Sequence, residues 1–374
     1  MTESTLQTEK SDGFFKKLLN GIKDFFIGFG QGCKDFFINF GIAIKNFFKD
    51  PKTGFKNIWK WLKKQNGWLF LAPAIILMAI FTFYPIFNSL RLAFLEDYNP
   101  LDKFAPDPTF GFGNFEKVID GGITAADFGV CLKNTLILAF ISVPFSTMVA
   151  LLISVALNSI KALQKAYQTI FFLPYLTNAL AMGAVFASFF QIIGTNSNIE
   201  TYGLVNQFLS LFGAGPINWI DLAKGGLPAS TEWANYAVLI IYSTWSGLPF
   251  KILIIFSALQ NVGKQYYDAA KIDGANKTTI LTKITVPLIS PMISYLIITG
   301  FMGALKSYSS VVGIFGANMG PNGDFEMGTM VGYIYKLIEN NQIAYAAAGS
   351  LILFAIILVV TIINNVVSKK TVHY

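Results

Sequence analysis

The sequence is poor in charged residues. Only 13% of its 374 residues are charged, whereas 53% are hydrophobic. A soluble domain carries about 25% charged residues. A surface with so few charges does not face water over most of its area. The composition therefore excludes an ordinary soluble globular protein and favours a chain embedded in a membrane.

Histidine and cysteine are also scarce. The single histidine is His373 near the end of the sequence, which excludes histidine-based catalysis and histidine-rich metal sites. The two cysteines, Cys33 and Cys131, fall on opposite sides of the membrane in the topology predicted below, so neither a disulfide nor a zinc site is predicted. No acid lies within the core of a predicted span, which argues against an ion-coupled secondary transporter.

The first 64 residues contain 12 Lys and 6 acids, together with an internal repeat. A Phe-Phe pair recurs every 11 residues, at positions 14–15, 25–26, 36–37 and 47–48. Eleven residues are about three helical turns, so the pairs return to one helix face. We predict that residues 1–66 form an amphipathic helical extension on the cytoplasmic membrane surface. Packing against another subunit is the alternative, and nucleic-acid binding is not predicted, because the lysines alternate with apolar residues.

Six apolar segments follow this extension. They run at about 68–94, 130–157, 168–193, 234–260, 287–311 and 342–367. Each is long enough to cross about 30 Å of hydrocarbon as a helix. The predicted fold class is therefore all-α: a polytopic membrane protein whose transmembrane domain covers residues 67–370 with six transmembrane helices.

The distribution of lysine predicts the orientation of these spans. If the N-terminus is inside, the inner segments 1–67, 158–167, 261–286 and 368–374 together hold about 20 Lys and 8 acids. The outer segments hold about 7 basic residues and 13 acids. Both termini are therefore predicted to be cytoplasmic, in a multi-pass protein of the bacterial cytoplasmic membrane.

The third inner segment, residues 261–286, is too long for a simple connection between spans. Asp268–Ile272 favours a helix, Gly274 ends it, and Thr278–Ile284 is predicted to form a second short helix. Pro287 is then predicted to open the fifth span. Two short helices around a glycine turn form a projecting knob that suits docking into a cleft of a soluble partner.

This segment resembles the E-A-A…G…I-x-L-P signature of permeases of ABC importers. Asp268 and Val286 replace the Glu and Leu of that signature and keep the chemical type. Similarity to maltose- and oligosaccharide-type permeases extends over most of residues 68–370. The resemblance implies that the ATPase contacts are made by Asp268, Ala269, Ala270, Asp273, Gly274, Ala275, Ile284 and Pro287.

The resemblance also implies the partners. They are a second homologous permease, a dimer of ATP-binding-cassette ATPases and an extracellular sugar-binding protein. This chain is expected to carry no enzyme activity and no cofactor, since ATP and Mg belong to the ATPase. Its segment Gly274–Thr279 lacks the G-x-x-x-x-G-K-[ST] pattern of a phosphate-binding loop.

Five residues align with sugar contacts of maltose-type permeases, although ordinary helix packing would account for each of them. They are Tyr175, Gly247, Phe250, Lys306 and Ser309. The scarcity of ionisable groups in the spans favours a neutral cargo, while Lys306 leaves an acidic sugar open. An importer for a solute other than sugar is the alternative function.

Overall fold

Most of the described part of the chain is helical, which confirms the predicted all-α class. The computed structural model describes residues 66–98, 107–121, 127–160, 164–194, 199–221, 229–321 and 325–371. The predicted amphipathic extension with its 11-residue repeat lies outside these residues.

The described helices and strands follow one another along the chain in this order. The first half contains α1 (Asn66–Met78), α2 (Tyr84–Ala93), β1 (Leu95–Glu96), β2 (Thr109–Phe110), α3 (Gly113–Asp120), α4 (Phe128–Ser159), α5 (Gln164–Phe172), α6 (Ala179–Phe190), β3 (Ile192–Gly194), β4 (Ile199–Tyr202) and α7 (Leu204–Ser210). The second half contains α8 (Glu232–Gln260), α9 (Lys264–Ile272), α10 (Lys277–Ile280), α11 (Val286–Ala304), α12 (Ser309–Phe315), α13 (Met330–Glu339) and α14 (Ile343–Thr371). The strands form two antiparallel hairpins, β1–β2 and β3–β4.

Five of the described helical stretches are long and apolar enough to cross a membrane. They are Leu71–Ala93, Phe128–Ser159, Glu232–Gln260, Lys277–Ala304 and Ile343–Lys369. These stretches match the first, second, fourth, fifth and sixth predicted spans.

The third predicted span is not one straight helix. Its two halves, Ala166–Leu176 and Ala179–Phe190, meet at an angle of 101°. Pro174 lies in a 3₁₀ turn that ends the first half. Asn178 begins the second half, where its Oδ1 accepts hydrogen bonds from the backbone N–H groups of Leu180 at 2.9 Å and Ala181 at 3.3 Å. Asn178 thus caps the start of α6, which runs in a new direction, so the local sequence favours a break at this point.

The bent pair nevertheless carries the chain across the bundle. The helices α4 and α8 run parallel, because Lys133 pairs with Glu232 near their starts and Ser154 donates to the Ile252 carbonyl further along. After α4 ends, the chain must therefore return to the end of the bundle where α4 and α8 both start. The helices α5 and α6 provide this return. With the bent pair counted as one span, the described residues contain up to six candidate membrane spans. We call the end that carries α9 the α9 side, and the end that carries both hairpins the hairpin side.

Two π-helical turns occur just before prolines. One is Ala79–Phe83, which precedes Pro85, and the other is Leu281–Thr285, which precedes Pro287. A proline ring within a helix collides with the carbonyl four residues earlier, and one extra residue in the preceding turn relieves that collision. The helix therefore continues through each proline. As a result the fifth span begins at Lys277 and ends at Ala304, earlier at both ends than the predicted 287–311.

The chain divides into two units, up to Ile86 and from Phe87 onward. The largest apolar core of the second unit lies among α4, α6, α8, α12, α13 and α14. It contains Tyr242 and Tyr333, which are almost completely buried, and the free thiol Cys131. This core holds the short helices of the hairpin side against the long helices that line the cavity described next.

Candidate functional site

The predicted knob is present on the α9 side. The helix α9 carries Asp268 and Ala269 on accessible surface, while Ala270 is buried. Ile272, the last residue of α9, is 87% exposed, which is unusual for a large apolar side chain outside the membrane. The Asp268 carboxylate lies 3.8 Å from the Lys271 ammonium, and both side chains are open to solvent. The knob therefore presents both an apolar side chain and charged side chains on its accessible surface.

Gly274 makes the turn at the tip of the knob. Its φ is +70°, in the left-handed region that glycine adopts without a Cβ clash. The N–H of Ala275 donates to the Ala270 carbonyl at 2.9 Å, and the N–H of Gly274 donates to the Lys271 carbonyl at 3.1 Å. These two bonds form a Schellman motif, which satisfies carbonyls that the end of α9 would leave free. The predicted glycine turn is thus observed in its backbone geometry, with Asp273 as the last residue before it.

The second short helix of the knob is not separate from the fifth span. Asn276 caps α10 by accepting a hydrogen bond from the Thr279 N–H at 2.8 Å, and the helix then continues through the π turn to Ala304. Ile284 and Pro287 therefore lie inside one continuous helix. The predicted helix at Thr278–Ile284 is present as α10 and the π turn, and α11 begins at Val286, next to the predicted start at Pro287. The prediction that the two helices are separate is wrong, because the π turn joins them. A movement of the knob would be passed directly to the fifth span.

A cavity of about 250 Å³ lies among the long helices. Its wall comes from α4, α8 and α11 and from the turn that leads into α12. The polar lining consists of six serines and one lysine: Ser142, Ser146, Ser243, Ser246, Ser307, Ser310 and Lys251. Three glycines and three small or branched apolar residues complete it: Gly247, Gly300, Gly303, Leu138, Val143 and Ala304. A cavity lined by hydroxyl groups can bind the hydroxyl groups of a polar solute within an apolar membrane.

Lys251 reaches this cavity from α8. Its side chain is buried, and its Nζ donates hydrogen bonds to Ser146 Oγ at 2.5 Å, to Thr147 Oγ1 at 3.0 Å and to the Val143 carbonyl at 3.1 Å. All three acceptors are on α4. The ammonium group therefore ties α8 to α4 through three neutral oxygens.

The five predicted sugar contacts occupy different surroundings. Gly247 lines the cavity. Tyr175 and Phe250 stack on each other, with ring centroids 6.0 Å apart and an angle of 21° between the ring planes. Lys306 and Ser309 are exposed and are not part of the cavity wall, which instead contains their neighbours Ser307 and Ser310.

Neighbouring residues in the turn between α11 and α12 make different contacts. Ser307 Oγ and Ser310 Oγ lie 2.6 Å apart, and Thr329 Oγ1 donates to the Ser307 carbonyl at 2.7 Å. Tyr308, between the two serines, instead stacks on Tyr335 with centroids 4.5 Å apart. Burial is the main cause that raises the pKa of Tyr308 above its ordinary value, so its ring is neutral.

Sequence reasoning did not select the serines or assign Lys251 to the cavity. A signal for the serines was present, because Ser142 and Ser146 are one turn apart on α4, and Ser243 and Ser246 share a face of α8. Small polar residues on one face of a span are typical of a helix interface or a pathway. Which of these faces meet can be read only from the packed structure.

Comparison with known proteins gives a consistent result over most of the chain. The family described as binding-protein-dependent transport system inner membrane component matches residues 134–373. The chain is 28% identical over 301 residues to the lactose transport system permease protein LacF of Rhizobium radiobacter, covering 80% of this chain and 91% of that protein. It is 27% identical over 304 residues to the arabinooligosaccharides transport system permease protein AraP of Bacillus subtilis, covering 81% and 88%.

Two solved structures share the fold. A chain of a bacterial alginate ABC transporter in complex with an alginate pentasaccharide-bound periplasmic protein matches with a TM-score of 0.64 at 22% identity. The match covers 83% of this chain and 97% of that chain. A second structure of a bacterial alginate-importing ABC transporter matches with a TM-score of 0.63 at 23% identity.

Proposed function

Because this chain belongs to the family of binding-protein-dependent transport system inner membrane components, we propose that it is the permease subunit of an ABC importer for a sugar or oligosaccharide. The observation that carries the proposal is the position of α8. This helix lines the serine-rich cavity at Gly247 and ends at Gln260, just before the knob begins at Lys264. One rigid element thus joins a candidate cargo site to a candidate docking site on the α9 side.

The ATPase is assigned to a partner chain. The knob offers an exposed apolar tip at Ile272 and an accessible acid at Asp268, which suit a groove with a basic rim. A dimer of ATP-binding-cassette ATPases would bind there and would hold the ATP and Mg. A second homologous permease would complete the pathway, and an extracellular binding protein would deliver the sugar on the hairpin side.

A sugar is the proposed cargo because the chain offers the two kinds of contact that sugars use. The serines of the cavity supply hydrogen bonds, and the stacked rings of Tyr175 and Phe250 supply aromatic surface. The similarity to permeases named for lactose and arabinooligosaccharides supports the same class of cargo. Lys306 and Ser309 remain predicted contacts at the turn beside the cavity.

Purification and reconstitution test this proposal. A tagged chain extracted in mild detergent is expected to co-purify with an ATP-binding-cassette ATPase and a second permease. Proteoliposomes that contain the complex should accumulate sugar only with ATP inside and the binding protein outside. If the complex takes up a non-sugar solute under these conditions and takes up no saccharide, the cargo is not a sugar. Uptake without ATP would refute the proposal that the complex is an ABC importer.

The aromatic pair provides a variant for the same assay. Tyr175→Ala and Phe250→Ala each remove one ring of the stack, and stacking on a sugar face is worth more than a methyl contact. Uptake should fall severalfold while the amount of assembled complex is unchanged. The matched control is Phe208→Ala, which removes an exposed ring of α7 that packs against Phe212 instead of the Tyr175–Phe250 pair. Normal uptake by both Tyr175→Ala and Phe250→Ala would show that the pair does not contact the cargo.

Orientation is tested by thiol labelling. The lysine distribution predicts that the hairpin side is outside and the α9 side is in the cytoplasm. In a Cys33→Ser background, where Cys131 is buried, Phe110→Cys and Leu211→Cys should react with an impermeant reagent on intact cells. Asn276→Cys should react only after permeabilisation, since it lies at the knob. The opposite pattern would invert the topology.

A further inference from the structure

Lys251 is a buried cation without a carboxylate beside it. Its side chain is only 7% exposed, in the middle of α8. Among the described residues of the membrane-spanning stretches, the one acid is Glu232, at the first turn of α8, and its Oε1 is 2.5 Å from the Lys133 ammonium. Every acceptor that Lys251 contacts is a hydroxyl or a backbone carbonyl. The positive charge is hydrogen-bonded but is not neutralised.

Such a charge is costly within a membrane, where ionisable groups are rare and are usually paired or functional. The contact between α8 and α4 does not require a positive charge, because a neutral polar side chain can donate hydrogen bonds to the same oxygens. Ser154 already joins the two helices through its bond to the Ile252 carbonyl. The charge itself therefore needs an explanation beyond packing.

The surroundings of the ammonium group point to the cavity. Lys251 belongs to the cavity wall together with Gly247, one helical turn earlier. Across from it lies Gly300, where an added Cβ would be 3.7 Å from Lys251 Nζ and 2.9 Å from Val143 Cγ1. A side chain at Gly300 would collide with Val143 and contact the ammonium, so glycine at this position keeps the cavity wall beside Lys251 free of another side chain. Within the described part of the chain, Lys251 is the one charged residue of the cavity wall, which otherwise contains six serines and no acid.

We infer that the cargo of this permease is an acidic saccharide, whose carboxylate is the counter-charge that Lys251 lacks. This inference rests on the proposed function and narrows its cargo from sugars in general to sugars that carry a uronic acid. The three N–H donors of Lys251 are already engaged. The ammonium therefore acts by its charge across the cavity, and this charge is screened less among packed helices than in bulk water. The serines would hydrogen-bond the sugar hydroxyls.

The test compares matched acidic and neutral probes. Proteoliposomes with the complete complex and one fixed binding protein are offered trigalacturonate and the neutral galactotriose, of the same length and linkage. The wild-type complex should take up the acidic probe at least about tenfold faster, the ratio given by roughly 1.4 kcal/mol of electrostatic preference. Lys251→Met should remove most of this preference, and Lys251→Arg should keep it.

Assembly is checked for each variant by the yield of complex on size-exclusion chromatography. Ser154→Ala is the matched control, because it breaks another contact between α4 and α8 without changing the charge. Its acidic-to-neutral ratio should equal that of the wild type. A wild-type complex that prefers the neutral probe overturns the inference and leaves the sugar-import function standing. Equal loss of both probes in an assembled Lys251→Met complex would make the lysine a structural tie only. Failure of the wild type to take up either probe or any other saccharide would overturn the proposed function as well.

Discussion

Gly274→Val is expected to abolish ATP-driven uptake while leaving the amount of protein in the membrane near normal. Gly274 has a φ of +70°, and a β-branched side chain in the left-handed region costs roughly 1–2 kcal/mol. No atom lies within 4 Å of an added Cβ, so the cost arises from the backbone and not from a collision. The chain would relax by opening the turn and releasing the bond from Ala275 to Ala270. The knob would then have the wrong shape for the proposed ATPase partner.

The matched control for Gly274→Val is a substitution at the other end of α9. Gly263 has a φ of −59°, and an added Cβ would touch Gln265 at 3.6 Å, an ordinary contact. Gly263→Ala should therefore keep uptake close to the wild-type rate. If Gly274→Val also keeps full import and sugar-stimulated ATP hydrolysis, the knob is not the coupling element.

Charge reversal at Asp268 tests the same docking surface by another route. In the isolated chain its ion pair with Lys271 is exposed, and such pairs contribute little to stability. If Asp268 pairs with a basic residue of the proposed ATPase partner and is shielded from water there, loss of this acid costs roughly 2–5 kcal/mol. Asp268→Lys should therefore weaken ATPase binding in detergent pull-downs by at least about 30-fold. Asp268→Glu should keep binding, because it retains the charge.

The knob shows what the sequence reveals about such a site. A glycine between two helix-forming segments predicts a left-handed turn, and the structure has one at Gly274. The same reasoning treated Pro287 as the start of a helix, since proline is common at the first helical position. The structure instead carries the helix through Pro287 by means of a π turn. That turn depends on hydrogen bonds five residues apart, for which hydrophobic periodicity gives no signal.

The third span and the cavity were beyond prediction for a different reason. Hydropathy measures whether a segment can lie in a membrane but not whether it is straight, so the bend of 101° at Thr177 and Asn178 was missed. Asn178 directly after a polar residue is a recognisable helix start, yet the apolar run around it outweighed this signal. The cavity depends on which helix faces meet. That is why Ser307 and Ser310 line it, whereas Lys306 and Ser309 were the residues predicted.

The largest effect on stability is expected where α6 crosses α12. A Cβ added at Gly183 would lie 2.8 Å from Gly313 Cα, and one added at Gly313 would lie 2.8 Å from the Leu180 carbonyl oxygen. Real Cβ atoms do not approach backbone atoms so closely, and backbone cannot rotate away as a flexible side chain can. Gly183→Ala or Gly313→Ala would therefore force the two helices apart. Overpacking of this kind costs about 1–3 kcal/mol, and a larger side chain should cost more.

Separation of α6 and α12 should also change the cavity wall. The helix α12 carries Ser310 in the cavity wall, and α6 is anchored at its start by the Tyr242 hydroxyl, which donates to the Ala179 carbonyl at 2.6 Å. With α6 fixed, α12 is the element that must move, and Ser310 moves with it. We expect Gly183→Ala and Gly313→Ala to lower both the apparent melting temperature in detergent, by several degrees, and the uptake rate. Gly303→Ala is the control for stability, because no atom lies within 4 Å of its added Cβ and alanine favours a helix over glycine. Melting temperatures equal to that of the wild type for both crossing variants would mean that the helices do not touch in the assembled transporter.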